Sequence, residues 1–241
     1  MKRIVFIFIS IWLLQSFATE VAAQSTSSIS NIVDFNAGIG NSEGNLALAM
    51  NYEFGLGKKK KMIIGIGGRF TSYFGKNQYY VTAPAELTTG STGLGVIFME
   101  NIEANMDTFL IKSAQVNSLN LVFSLGYNLS EKLSLRFNID VIGFSFGKSI
   151  SGNYINGSQG SIESASPTPF NLLLTSDNDH GSLNSELFVR YFLNSKWGLK
   201  GGAQFLFTEY TTDTEVQQFP MANDRFRNKS LIFTAGVAYK I

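Results

Sequence analysis

The chain has 241 residues, 19 basic and 18 acidic side chains, 23 glycines, 4 prolines, 21 phenylalanines, 9 tyrosines and no cysteine. Zero cysteine excludes disulfides, thiolate metal sites and a lipid anchor on cysteine, and balanced charge argues against nucleic-acid binding. Abundant glycine and aromatic residues with scarce proline suit many strands rather than helices.

Residues 1–23 have the pattern of a secretory signal peptide. Lys2 and Arg3 form a basic start, Ile4 to Leu14 is almost wholly apolar, and Val21 and Ala23 are placed like a cleavage site. The apolar run is short for a membrane helix of about 20 residues, and no later run is long enough. Without Lys2, Arg3 and Glu20 the remainder is neutral. Residues 24–241 are expected to form one domain.

Alternation with period two then dominates, and it assigns faces to strands. A first strand sets Val33, Phe35, Ala37 and Ile39 against Asp34, Asn36 and Gly38. After a tight turn at Asn41–Gly44, a second sets Leu46, Leu48, Met50, Tyr52 and Phe54 against Ala47, Ala49, Asn51 and Glu53. Lys58–Lys61 make a charged turn. A third strand, from Met62 to about Phe70, opposes Ile64, Ile66 and Phe70 to Gly65, Gly67 and Arg69.

The segment Ser72–Asn117 reads as a long polar connection with apolar islands at Val96–Met99 and Phe109–Ile111. It is either a hairpin projecting beyond the other strands or a further strand pair. A hairpin follows. Leu119 to Tyr127 and Leu133 to Val141 present an apolar face opposite Arg136, Asn138 and Asp140. At Ile142 the apolar residues move to the other alternation class, with Phe144 and Phe146, as a bulge would cause. Lys148 to Gly181 reads as a polar loop. A sixth strand sets Leu183, Leu187, Val189 and Tyr191 against Asn184, Glu186, Phe188 and Arg190. A seventh sets Trp197, Leu199, Ala203, Phe205 and Phe207 against Lys200, Gly202, Gln204 and Thr208. Thr211–Ser230 reads as a third polar loop. The last strand puts Leu231, Phe233, Ala235, Val237, Tyr239 and Ile241 on one face.

A soluble sandwich would bury the apolar faces; a transmembrane barrel would turn them to lipid. Connections after the second, fourth and sixth strands are short, and those after the third, fifth and seventh are long, as in barrels with short periplasmic turns and long outer loops. Only Asn41–Gly44 is short where length is expected. Tyr52, Tyr127, Tyr191 and Tyr239 sit on apolar faces at one level, with Trp197 beside them. Such amphipathic rings belong at a membrane–water boundary. The expectation is therefore an all-β chain: a transmembrane antiparallel up-and-down β-barrel of about eight strands, or ten if Ser72–Asn117 adds a pair. The motif Tyr127-x-Leu129-x-x-Lys132-Leu133-x-Leu135 recurs as Tyr191-x-Leu193-x-x-Lys196-Trp197-x-Leu199, as duplication or shared turn chemistry would leave.

The final strand resembles the C-terminal targeting strand of outer-membrane barrels, with Ile241 where the usual final residue is Phe. The chain as a whole resembles the small outer-membrane barrels of Gram-negative bacteria, the OmpA-like, OmpX-like and OmpW-like group often described as porin family. Its Ser- and Asn-rich loops are similar to those of Bacteroidetes-type outer-membrane proteins. The resemblance implies residence in the outer membrane among lipopolysaccharide and phospholipid. It carries no catalytic motif, cofactor or metal.

About eight strands enclose a space that side chains fill. The expected inward charges are Asp34, Glu53, Arg69, Arg136, Asp140, Glu186, Arg190 and Lys200, which should pair across a narrow lumen. His180, Ser182 and Glu186 supply a base, a hydroxyl and an acid, similar to the His-x-Ser of outer-membrane lipid A deacylases; a solvated loop histidine is the plainer reading. Lys58–Lys61 read as a solubilising turn, with lipid headgroups as the alternative. Asp177–Asp179 lack the downstream Glu of a calcium loop. Arg225, Arg227 and Lys229 form a basic patch, either solvated or facing lipopolysaccharide phosphates. Gly38 and Gly40, and Gly65, Gly67 and Gly68, read as strand glycines, not nucleotide loops. The leading functional expectation is a non-enzymatic outer-membrane barrel whose surface loops serve envelope structure or binding. The alternatives are a narrow porin-like channel for small solutes and a lipid A-modifying acyl hydrolase.

Overall fold

The computed structural model describes residues 29–93, 96, 98–157 and 159–241. The expected signal peptide, residues 1–23, lies outside them. The strands are β1 (Ile29–Ile39), β2 (Glu43–Leu56), β3 (Met62–Thr82), β4 (Thr108–Asn128), β5 (Leu133–Phe146), β6 (Ile150–Asn156), β7 (Gln159–Pro167), β8 (Phe170–Leu172), β9 (Asn184–Phe192), β10 (Trp197–Thr212) and β11 (Arg225–Lys240). A five-residue helix, α1 (Ala85–Thr89), follows β3.

Eight of these strands close a ring. Antiparallel pairings run β1–β2–β3–β4–β5–β9–β10–β11 and return to β1, where Ile32 meets Lys240 and Ile39 meets Phe233. No edge is left for lipid to leave unsatisfied. Ring closure removes the ten-stranded alternative and the sandwich. The faces are inverted relative to a soluble protein. Phe35, Leu48, Ile66, Leu121, Leu199 and Phe233 are each about half exposed or more, whereas Asp34, Asn51, Arg69, Asp140 and Glu186 are buried inside the ring. Only hydrocarbon covers such a wall without penalty, so the chain is a transmembrane barrel of the outer membrane.

The Tyr52, Tyr127, Tyr191 and Trp197 rings lie on this wall near the short-turn end, and Trp197 packs edge-on to Tyr239 at 4.8 Å. The short turns are tied around the rim: the Asn128, Phe192 and Lys240 amides donate to the carbonyls of Lys61, Lys132 and Lys196. On β5 the pairing with β4 shifts between Leu121 and Val122, so Val141 is an inserted residue. That bulge keeps Ile142, Phe144 and Phe146 on the lipid side, as their altered alternation required.

Beyond the apolar belt the wall is rebuilt. β1 and β2 stop at the short Asn41–Gly44 turn, and above it β11 pairs directly with β3 through Phe226 and Arg227 opposite Thr82 and Val81. β5 and β9 end, and the β6–β7 hairpin takes their place. Thr108–Leu110 of β4 pair with β6, and Tyr210–Thr212 of β10 pair with β7. The result is a second closed ring, β3–β4–β6–β7–β10–β11, narrower by two strands. This corrects three sequence expectations. Ser72–Asn117 begins and ends as the continuations of β3 (to Thr82) and β4 (from Thr108), and is not a separate hairpin or an added membrane pair. Lys148–Gly181 contains three strands, and Thr211–Ser230 contains the start of β11. The short first outer turn also has its reason: those two strands have no place in the upper ring.

A lumen closed in two tiers

The lower ring turns its polar alternation class inward and gathers the eight expected charges into two clusters. Nearer the short turns, Arg190 donates to Glu53 at 2.8 Å and to Asp34 at 3.2 Å, and Arg136 reaches the other Glu53 oxygen at 3.1 Å. Arg136 also donates to Asn128 Oδ1 at 2.9 Å. Its guanidinium lies over Gly126, where any Cβ would collide with it. Higher up, Arg69 donates to Asp140 at 2.6 Å and to Glu186 at 3.3 Å, and Lys200 Nζ donates to Glu186 at 3.0 Å. Asn120 and the Asn184 amide hold the second Asp140 oxygen, and Asn36 and Gln204 hold the second Glu186 oxygen. Each cluster contains two acids and two bases. Apart from Lys200–Glu186, which links the paired strands β10 and β9, the ion pairs join strands that are not neighbours, so they span the lumen. Lys200 Nζ also stands 3.9 Å from the centroid of Phe188, which sits inward as its alternation class implies.

The upper ring is filled differently. Tyr80, Phe109, Ile111, Tyr210, Phe226 and Ile232 are completely buried, and Tyr73, Val116, Leu206 and Tyr154 pack with them. Tyr80 on β3 meets Tyr210 on β10 edge-on at 5.3 Å, and Phe109 on β4 meets Phe226 on β11 at 5.5 Å. None of these pairs is on adjacent strands, so the rings fill the interior. Their hydroxyls are satisfied locally. Tyr80 shares a hydrogen bond with Thr208 at 2.9 Å, Tyr210 donates to the Gln115 carbonyl at 3.0 Å, and Tyr73 donates to Glu43 at 2.7 Å. Burial, then the Asp107 carboxylate that accepts from it, push the Tyr154 hydroxyl up to about 12.

On the outside of the upper ring the Arg225, Arg227 and Lys229 patch is not a free surface. Arg225 and Arg227 both grip Glu209, at 2.8 and 2.7 Å, and Lys229 reaches Asp177 at 2.5 Å. Arg227 and Glu209 are buried beneath the segment carrying Asp177 and Asp179, whose backbone carbonyl accepts from both guanidiniums. α1 closes the same layer, with Thr88 donating to Asp177. Burial alone would raise the Glu209 carboxyl, but Arg227 and Arg225 outweigh it and hold it below the ordinary carboxylate range. Both expected readings, solvated patch and lipopolysaccharide contact, therefore give way to a structural charge cluster for the two arginines.

His180, Ser182 and Glu186 are not brought together. His180 Nδ1 bonds the Phe170 carbonyl at 2.8 Å. Ser182 is buried and its hydroxyl accepts from the Glu209 amide at 3.1 Å, while Glu186 is committed to the lumen cluster. Leu183, expected on the lipid face, is buried where β9 begins. The residues that sequence reasoning missed are those of the upper core, above all Tyr80, Tyr154, Tyr210 and Phe226. The alternation Leu206, Thr208, Tyr210 continues the lumen class of β10 and was the available signal.

Below the charge clusters the lumen opens at the short-turn end into a cup of about 480 Å³ lined by Glu53, Arg136, Arg190, Lys132 and Lys240 among others.

No family model matches the chain, and no curated protein matches it. Among solved structures it is similar to Neisserial surface protein A, at 9% identity and a TM-score of 0.36, covering 88% of this chain and 96% of that one. It is also similar to Ail, the attachment invasion locus protein of Yersinia pestis, at 10% identity and a TM-score of 0.33, over 89% and 97% of the two chains. A major outer membrane protein from Thermus thermophilus aligns at 12% identity and a TM-score of 0.31, over 88% and 99%. The overlap at these scores is loose, and the architecture rests on the closed ring and its apolar wall.

Proposed function

We propose that this protein is a non-enzymatic, sealed outer-membrane barrel that holds a rigid, strand-built platform beyond the outer surface for envelope structure or binding. The observation that carries the reading is the aromatic filling of the upper ring. A six-stranded ring has less interior than an eight-stranded one, and here that interior is packed with tyrosine and phenylalanine. A solute entering from the short-turn cup would meet first two neutral ion-pair clusters and then this core. The loops above are not loose. Gln217 donates to the Asn105 carbonyl at 2.7 Å and accepts from Thr82 at 2.8 Å, which ties the last outer loop to the one before β4. A positioned surface on a rigid scaffold suits recognition. Contact with lipopolysaccharide and phospholipid is the expected partnership of its apolar wall. Planar-bilayer recording of the purified barrel tests the proposal. It should give no steady conductance steps, whereas discrete, reproducible steps would establish the narrow-channel reading instead.

A further inference from the structure

The charges of residues 24–241, which sum to zero, are sorted by height. Among the described residues the short-turn rim carries the Lys58–Lys61 run, Lys132, Lys196 and Lys240, against a single acid, Glu131. Asp34, Glu53, Asp140 and Glu186 are paired inside the lumen. Every other acidic residue among those described lies beyond the outer boundary, where acids outnumber bases. Hairpin solubility does not require this one-sidedness, since the outer loops stay polar with the opposite sign.

Two of the rim lysines are seated on the lipid side of the wall. Lys61 Nζ stands 5.9 Å from the centroid of Tyr127, and Lys196 Nζ stands 5.8 Å from that of Tyr239, which itself packs against Trp197. Those rings mark the edge of the hydrocarbon. An ammonium held over such a ring is therefore at the depth of lipid phosphates, and it keeps its charge exposed to them.

We propose that the periplasmic rim is a binding surface for anionic phospholipid of the inner leaflet, with Lys61 over Tyr127 and Lys196 over Tyr239 as two headgroup seats. The aromatic ring contacts the upper acyl chain and the lysine takes the phosphate. The remaining lysines add long-range attraction. The inference uses the barrel's orientation in the membrane and not the sealed state of its lumen, so a conducting barrel would leave it standing.

Native mass spectrometry of the full barrel in neutral detergent tests this, with dioleoylphosphatidylglycerol and dioleoylphosphatidylcholine as probes. Phosphatidylglycerol should be retained in preference. Each lysine near an anionic headgroup contributes about five-fold, so Lys61→Gln with Lys196→Gln should weaken retention on the order of 25-fold. Lys132→Gln with Lys240→Gln, which alters the cup instead of the wall, should have the smaller effect. Should the double variant fail to fold, raising salt on the unaltered protein should release phosphatidylglycerol and not phosphatidylcholine. Equal retention of the two lipids overturns the proposal. So does loss confined to the cup variant together with displacement by inorganic phosphate, which would mark a site for soluble anions.

Discussion

Replacing Arg69 by leucine removes the centre of the upper charge cluster. Its guanidinium lies 2.6 Å from Asp140 and 3.3 Å from Glu186, and all three side chains are buried. At an effective dielectric of about 20 the shorter contact is worth about 6 kcal/mol of Coulomb energy; in a water-filled lumen it would be worth less than about 2 kcal/mol. Desolvation offsets much of the former figure, yet breaking one side of a buried pair still costs about 3–5 kcal/mol, because the partner is left charged and unpaired. Glu186 keeps Lys200, so the exposed liability is Asp140. Arg69→Leu should destabilise the barrel by about 3–5 kcal/mol, Asp140→Leu by less because Arg69 keeps Glu186, and the double substitution by much less than their sum. Urea unfolding of the barrel in lipid vesicles, followed by tryptophan fluorescence and by the gel mobility of the folded form, measures all four corners of that cycle. Single variants within about 1 kcal/mol of the parent, with no coupling, would show that water screens these charges and would refute a dry, sealed lumen.

Other perturbations probe the remaining parts. Gly126→Ala places a methyl against the Arg136 guanidinium, so vesicle unfolding should show a loss of about 1–3 kcal/mol from overpacking. Phe226→Ala empties the centre of the upper core and should cost about 3–5 kcal/mol in the same assay. The outer layer should be acid-sensitive. Because the Glu209 carboxyl is held low in the folded state, its stabilisation is complete above the unfolded value of about 4.3 and is lost as pH falls through the folded one. Protection of the outer segments against pepsin should therefore drop below about pH 4. Glu209→Gln should be cut faster than the parent by trypsin at neutral pH and should lack the acid step against pepsin.

The membrane tier was legible because its residues obey one rule without interruption. From Leu46 to Phe54, or Leu231 to Tyr239, each side chain's face follows from its parity, and even the Val141 bulge announced itself through Phe144 and Phe146. The upper tier was hidden because the rule is broken there in step. Burial changes phase at Lys76 and Asn77 of β3 and at Lys112 and Ser113 of β4, which lie opposite each other, so the pairing stays in register while the faces swap. Asn77 takes up a positive φ of 52° at that point. Read locally, Tyr80, Phe109 and Ile111 then look like islands in a loop. The β6–β7 hairpin is rich in Ser, Gly and Asn and has no alternation of its own to speak of; β4 and β10 make it a strand pair by offering their edges. Arg225 and Arg227 read as exposed because their partner Glu209 is distant in sequence and of the unexpected face. The lumen charges were legible as a set, but which acid meets which base depends on ring geometry that no single strand encodes.

The sealed lumen can be tested directly by access from each side. The chain has no cysteine, so one introduced at Ser134, in the wall of the short-turn cup, is a unique target. Ser161→Cys, on the exposed face of β7, reports that an impermeant maleimide reaches the outer surface. On intact cells the reagent should label Ser161→Cys and leave Ser134→Cys unmodified, and opening the periplasm should make Ser134→Cys reactive. Labelling of Ser134→Cys from outside at a rate comparable to Ser161→Cys would mean that the lumen is a through-path, contrary to the closure described above.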